Sequence, residues 1–203
     1  MKDIKIALRH LKKDPVLKGV IDQHGVLNYA PVPDFFDSLV GSIISQQLSL
    51  KAANTIYGRF TKLFPDGKYS HELILEISDL ELRSCGMSWA KVRSVKDLSA
   101  KILDKSVRLD LLDQMTDEEV VTHLTQVKGI GRWTAEMKLM FTLQRPDIFP
   151  LQDIGIHNAF AKLYGLNRKH KSFLTKMQKI SSAWKPYRTV ACWYLWKSLD
   201  TKE

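Results

Sequence analysis

The strongest constraint on the fold is a four-residue turn, Lys128-Gly129-Ile130-Gly131, set between two segments of helical periodicity. Upstream, Thr116 and Glu119 have the spacing of a capping box, in which a hydroxyl and a carboxylate reciprocally satisfy helix-terminal N–H groups. Val120, Val121 and Leu124 give that segment an apolar face. Downstream, Trp133, Met137, Met140 and Phe141 recur at i, i+4, i+7 and i+8, the apolar stripe of a second helix. Two glycines allow the turn positive φ and leave no Cβ over it. The first N–H groups of the second helix then point outward as a seat for an anion. Lys128 and Arg132 flank that seat with positive charge, and in a basic chain the fitting anion is a nucleic-acid phosphate.

The basic character is marked: 31 Lys and Arg against 22 Asp and Glu, a net charge of +9, which favours a polyanionic partner, DNA or RNA, or an anionic membrane. With 203 residues and 44% apolar content the chain can bury a core as one compact unit or two small lobes. No apolar stretch is long enough to span a bilayer, and Met1-Lys2-Asp3-Ile4-Lys5 begins a charged amphipathic helix, not a signal peptide. Two cysteines, Cys85 and Cys192, fall in apolar helical surroundings and read as buried thiols in a reducing compartment.

Along the chain, helical spacing dominates. Asp14-Pro15 opens a helix that ends near Gly25, Pro31-Val32-Pro33 is a loop, and Asp34 caps a helix carrying Phe35, Leu39, Ile43 and Ile44. Polar residues, Ser45-Gln46-Gln47-Leu48-Ser49, then interrupt the apolar stripe before it resumes at Ala52. Phe64-Pro65-Asp66-Gly67 is a turn, Gly86 is a stop, and Ser88 caps a longer helix. After the hairpin, Asp153 opens a helix that closes at Gly165, and Pro186 starts the last one. No alternating strand and no internal repeat is visible, so the prediction is an all-α chain of about ten helices with short connections.

Four pieces in order carry a family resemblance: Ile43-Ile44-Ser45-Gln46-Gln47-Leu48-Ser49, then Gly129 to Ala135, then Phe149-Pro150-Leu151-Gln152-Asp153, then Trp184-Lys185-Pro186-Tyr187-Arg188. Together they resemble the helix-hairpin-helix (HhH-GPD) superfamily of DNA glycosylases, in its 3-methyladenine DNA glycosylase II branch. The resemblance runs from about Phe35 to about Trp196. It implies one glycosylase unit over residues 1–203 with two helical lobes and a cleft between them. Residues 35–115 would form a central lobe, and residues 1–34 with 116–203 the other, which would contain the hairpin at 116–143. It also implies a monofunctional enzyme that flips alkylated bases of the 3-methyladenine and 7-methylguanine class out of duplex DNA. Hydrolysis of the N-glycosidic bond would leave an abasic site for base excision repair. The expected partner is double-stranded DNA and the expected state a monomer, in the cytoplasm or, in a eukaryote, the nucleus.

The resemblance assigns residue roles, each with a plainer alternative. Asp153, 22 positions past Gly131, is the catalytic carboxylate; Asp is also a common helix N-cap. Cleavage of an N-glycosidic bond builds oxocarbenium character on the sugar, which a fixed, ionised carboxylate stabilises while it orients the attacking water. Trp133 holds the hairpin slot where strand-nicking relatives carry a Schiff-base lysine, so water is the expected nucleophile. Trp133, Trp196 and Tyr187 are the expected base pocket, where indole faces favour cationic purines; ordinary core packing is the alternative. Gln47, or Leu48 beside it, is the wedge that fills the stack left by the flipped base. Gly129, Gly131, Lys128, Arg132 and Thr134 would contact phosphate, with Lys51, Lys91, Arg93 and Lys96 as extensions of that face. The carbonyls of Thr125, Val127 and Ile130 would hold a structural Na⁺ or K⁺. No catalytic cofactor is implied. Histidine and cysteine spacing suits neither zinc nor an iron–sulfur cluster. Two rival functions stay open: a hairpin DNA-binding protein without turnover, and a glycosylase for deaminated bases.

Overall fold

The computed structural model describes residues 4–26 and 34–200. The loop expected at Pro31-Val32-Pro33 lies outside them. Among the described residues twelve α-helices and two short 3-10 turns are present, and no strand. The helices are α1 (Ile4–Leu11), α2 (Pro15–His24), α3 (Phe35–Ser45), α4 (Leu50–Thr61), α5 (His71–Glu76) and α6 (Asp79–Ser84). They continue as α7 (Trp89–Leu103), α8 (Asp117–Leu124), α9 (Arg132–Phe141), α10 (Ile154–Tyr164), α11 (Phe173–Ser182) and α12 (Arg188–Lys197). The all-α expectation therefore holds. The caps read from sequence are in place: Asp14, Asp34, Ser88, Thr116 and Asp153 each accept backbone N–H groups of the turn they open.

The chain forms two compact units, Val32–Lys138 and the pair of segments Met1–Pro31 and Leu139–Glu203. The division falls inside α9, not at the expected 115/116. The reason is a set of long-range ties that sequence spacing does not reveal. Lys128 N–H donates to Asp97 Oδ2 of α7 at 2.8 Å, and Gln46 Nε2 donates to the Gly129 carbonyl at 2.9 Å. These bonds fasten the hairpin to the middle segment of the chain.

In the continuous unit, α7 packs on α5 and α3 and buries Val92, Val95 and Leu98, while α3 buries Leu39, Ile43 and Ile44. Asp37 of α3 accepts short hydrogen bonds from the phenols of Tyr57 and Tyr69, whose oxygens lie 2.9 Å apart. Burial, with the Asp37 carboxylate beside it, pushes the Tyr57 phenol up to about 12. Lys138 on α9 is 7% exposed, and its Nζ donates to the Ser38 carbonyl at 2.7 Å and to Ser38 Oγ at 2.6 Å. Burial lowers Lys138 from 10.5 to about 8, although the Asp37 charge opposes the shift. Between those values the unfolded chain holds a proton that the folded chain has released, so stability rises with pH through that window. The urea midpoint is expected to increase from pH 7.5 to pH 9.5, and Lys138→Met to flatten that increase.

The second unit is built from both ends of the chain. The Asp14 carboxylate joins it: Oδ1 caps α2 through Val16 and Leu17 N–H, while Oδ2 accepts the Trp184 indole N–H at 3.0 Å and the Tyr164 hydroxyl at 2.9 Å. Phe160, Trp184, Tyr194 and Leu195 fill its core with Leu11, Leu17 and Ile21. Tyr194 hydroxyl closes α12 onto the end of α2 through the Gly25 carbonyl at 2.7 Å. Burial and the nearby Asp14 raise the Tyr164 phenol above its ordinary range. Both cysteines are buried free thiols, as expected.

Candidate active site and phosphate-binding hairpin

The hairpin starts with α8, where Thr116 and Glu119 form the reciprocal capping box. Val127 and Ile130 turn inward and are buried, and each closes a tight turn, Val127 N–H to the Leu124 carbonyl and Ile130 N–H to the Val127 carbonyl, both at 3.1 Å. The two glycines do different work. Gly129 has φ +79°, and a Cβ there would run into the Ser94 side chain of α7. Gly131 lacks positive φ and faces open space, so the expectation of left-handed backbone holds only for Gly129. Among the described residues no acceptor meets the N–H of either glycine.

Beside these amides lies a cavity of 520 Å³, lined by Ser42, Ser45, Gln46, Gln47, Gly129, Gly131, Trp133, Thr134 and Met137. Trp133 is 49% exposed, and Phe141 is also exposed, whereas Ala135, Leu139 and Met140 face the interior. The apolar stripe read from sequence is thus split, with Met140 buried while Trp133 and Phe141 face outward. Thr134 and Lys138 take part of the buried face, which a hydrophobicity count assigns to solvent. The core alternative for Trp133 is excluded by its exposure.

The corner between α3 and α4 abuts the same cavity. Lys91 Nζ donates to the carbonyls of Ile44 and Gln46, both at 2.8 Å, and so ends α3. Gln47 follows, exposed, at φ +57°, with Leu48 partly exposed next to it. Lys91 is thus engaged by backbone carbonyls, half-buried Lys96 pairs with the exposed Asp79 at 2.9 Å, and Lys51 and Arg93 are exposed. Lys128 keeps an exposed side chain, with Nζ 3.5 Å from Asp97. Arg132, expected to flank the seat with positive charge, is half-exposed and has carboxylate neighbours. Its guanidinium pairs in bidentate fashion with Glu118 of α8 and lies 3.2 Å from Glu136. Glu118 foremost holds the Arg132 pKa above its ordinary value.

For the expected cation, the Val127 carbonyl already accepts Ile130 N–H, which leaves one lone pair. Among the described residues the carbonyls of Thr125 and Ile130 accept no hydrogen bond. Carbonyl oxygens are hard donors of the kind that alkali cations take.

Asp153 is in the other unit, 8% exposed, at the N-cap of α10. Its N–H is held by the Pro150 carbonyl at 2.9 Å. Its Oδ1 accepts Ile156 N–H at 2.7 Å and the Trp196 indole N–H at 2.9 Å. Capping and a chemical role are thus compatible at this residue. Preceding it, the 145–152 loop is stapled to α12. Arg188 grips the Asp147 carboxylate with Nε and Nη2 at 2.7 and 2.8 Å, and Thr189 Oγ1 bonds both the Arg145 carbonyl and Ile148 N–H. Arg188, Thr189, Asp147 and Gly155 were given no role by the sequence. The adjacent Pro186-Tyr187-Arg188 piece marked the place without the partners. Trp196 sits 5.9 Å from Phe141, which stacks on Trp193 at 5.4 Å. Tyr187 instead packs edge-on against His10 of α1 at 5.5 Å, and among the described residues no contact joins it to Asp153.

Residues 40–186 match the model of the HhH-GPD superfamily of base excision DNA repair proteins. The chain belongs to that superfamily. Within it, this HhH-GPD member lies in the 3-methyladenine glycosylase branch. It is 36% identical to DNA-3-methyladenine glycosylase 1 of Schizosaccharomyces pombe over 166 residues, covering 80% of this chain and 72% of that one. The S. pombe 3-methyladenine DNA glycosylase in complex with abasic DNA superposes with a TM-score of 0.82 at 33% identity, covering 97% and 98% of the two chains. The DNA-3-methyladenine glycosidase of Bacillus halodurans gives 0.86 at 34% identity, with coverage of 98% and 91%.

Proposed function

We propose that this HhH-GPD protein is a monofunctional DNA-3-methyladenine glycosylase that hydrolyses the N-glycosidic bond of alkylated bases in duplex DNA. The observation that carries the reading is Asp153: a nearly buried carboxylate, fixed by a backbone and an indole donor on one oxygen, at a helix N-terminus. The C1′–N bond breaks with its electron pair leaving on the alkylated base, whose positive charge it neutralises; the Asp153 carboxylate stabilises the oxocarbenium-like sugar, and water adds at C1′ while its proton passes to that carboxylate and on to solvent. Trp133, exposed in the hairpin slot, cannot form a Schiff base, which leaves water as nucleophile. Its indole face favours a ring-charged purine by about 0.5–2 kcal/mol.

The amides of Gly129 and Gly131 serve DNA phosphates, with Lys128 and the Thr134 hydroxyl beside them, and a monovalent cation at Thr125, Val127 and Ile130 supports that contact. Gln47, on its exposed left-handed corner, fills the stack when the base leaves. The partner is double-stranded DNA bound by a monomer, in a cytoplasmic or nuclear setting. No helix among the described residues is long and apolar enough to cross a membrane.

Duplexes each bearing one lesion, 3-methyladenine, 7-methylguanine or hypoxanthine, test the reading. Excision of the alkylated bases should yield sites cleaved by alkali, with no adduct trapped by borohydride. A trapped adduct would contradict the monofunctional mechanism, and binding without any excision would favour the non-enzymatic hairpin protein.

A further inference from the structure

We propose that Trp196 is a positioning residue: its indole N–H fixes the Asp153 carboxylate for the reaction, and Gly155 is the gap that admits it. The inference rests on the reading of Asp153 as the catalytic acid. It gives Trp196 a role other than the base-stacking wall that the resemblance implies.

Two donors from different helices converge on Asp153 Oδ1. Ile156 N–H belongs to the helix that Asp153 itself caps, and Trp196 Nε1 comes from α12, 43 residues away in sequence. The local bond holds the carboxylate to its own helix. The distant bond adds a second direction and sets the plane of the group. An indole N–H is a donor only, so its fit is to an oxygen that carries no proton.

Gly155 supplies the second observation. A Cβ at this position would stand 2.9 Å from Trp196 Cδ1 and Nε1 and 3.0 Å from Asp153 Oδ1, closer than side chains tolerate. Gly155 has no positive φ, so backbone conformation does not demand glycine there. Glycine inside a helix costs stability relative to alanine. The close approach of Trp196 to Asp153 accounts for its presence in the first turn of α10. A ring serving only to stack on a base would need neither an aimed N–H nor an empty position 155. The Phe141 ring lies 5.9 Å from that of Trp196, tilted by 32°.

Trp196→Phe keeps an aromatic ring and deletes the donor. Single-turnover excision of 7-methylguanine from a duplex should fall about tenfold, as for loss of one hydrogen bond to a charged group. The Kd for a duplex with an abasic-site analogue should stay within about twofold, because the lost contact lies inside the protein. Gly155→Ala should slow the same step with the same unchanged affinity. In ¹⁵N-labelled Gly155→Ala protein the Trp196 indole N–H resonance should move upfield as its bond lengthens.

An unchanged single-turnover rate in Trp196→Phe overturns the proposal. So does an indole resonance unmoved in Gly155→Ala, or a loss that appears as weaker binding of intact lesion DNA with the single-turnover rate kept, the pattern of a stacking wall. Asp153→Asn measured in parallel separates the two levels. An active Asp153→Asn removes the catalytic reading itself, whereas an inactive one beside a normal Trp196→Phe removes only the positioning role.

Discussion

Asp153→Asn is expected to bind abasic-analogue DNA as the parent does and to lose roughly 10²–10⁴ of its single-turnover excision rate, the range seen when one charge-stabilising group leaves an active site. The fold should survive the change. Asparagine is as good an N-cap as aspartate, and its carbonyl oxygen can still accept Ile156 N–H and the Trp196 indole N–H in place of Oδ1. What the amide removes is the negative charge that the proposed mechanism uses against a sugar becoming positive. A thermal melt alongside the kinetics would verify that stability is retained. Excision near the parent rate by a pure sample would mean that the charge is not used.

Gly129→Ala should show the largest structural effect of any single methyl in the hairpin. Its φ of +79° costs an alanine about 1–2 kcal/mol, and the new Cβ meets the Ser94 side chain of α7. Ser94 is buried and its hydroxyl is already bonded to the Ala90 carbonyl at 2.9 Å, so it cannot easily swing aside. A melting midpoint lower by roughly 5–10 °C follows, since about 1 kcal/mol moves a chain of this size by 2–4 °C. Affinity for DNA should drop with it, as the Gly129 amide is displaced. Gly131→Ala is the control, because nothing lies within 4 Å of its Cβ position. It should fold with parental stability, and any loss of DNA affinity in it would report how closely a phosphate comes to that residue. Equal destabilisation in both variants would refute the distinction between the two glycines.

Local signals are legible in the sequence where a single turn of helix determines them. Asp14, Asp34, Ser88 and Thr116 cap helices because their side chains reach N–H groups only two or three residues away. The left-handed stop at Gly165 is equally local. Long-range pairings were not legible. Nothing near Arg132 in the chain announces that Glu118, 14 residues earlier, neutralises it. Nor does the chain announce that Lys138 is accepted into the interior by Ser38, 100 residues away, while Trp133 on the same helix stays half-exposed. The cap at Asp153 is local and legible, whereas the approach of Trp196 to its carboxylate past Gly155 is a matter of three-dimensional packing.

The Asp14 carboxylate, shared between the cap of α2 and the side chains of Tyr164 and Trp184, carries a consequence for biosynthesis. The continuous unit can close as soon as Lys138 has left the ribosome. The first two helices must wait, their buried faces uncovered, until partners made 150 and 170 residues later emerge. A chain arrested before Trp196 would therefore hold a finished Gly129 turn while the Asp153 carboxylate still lacked its indole partner.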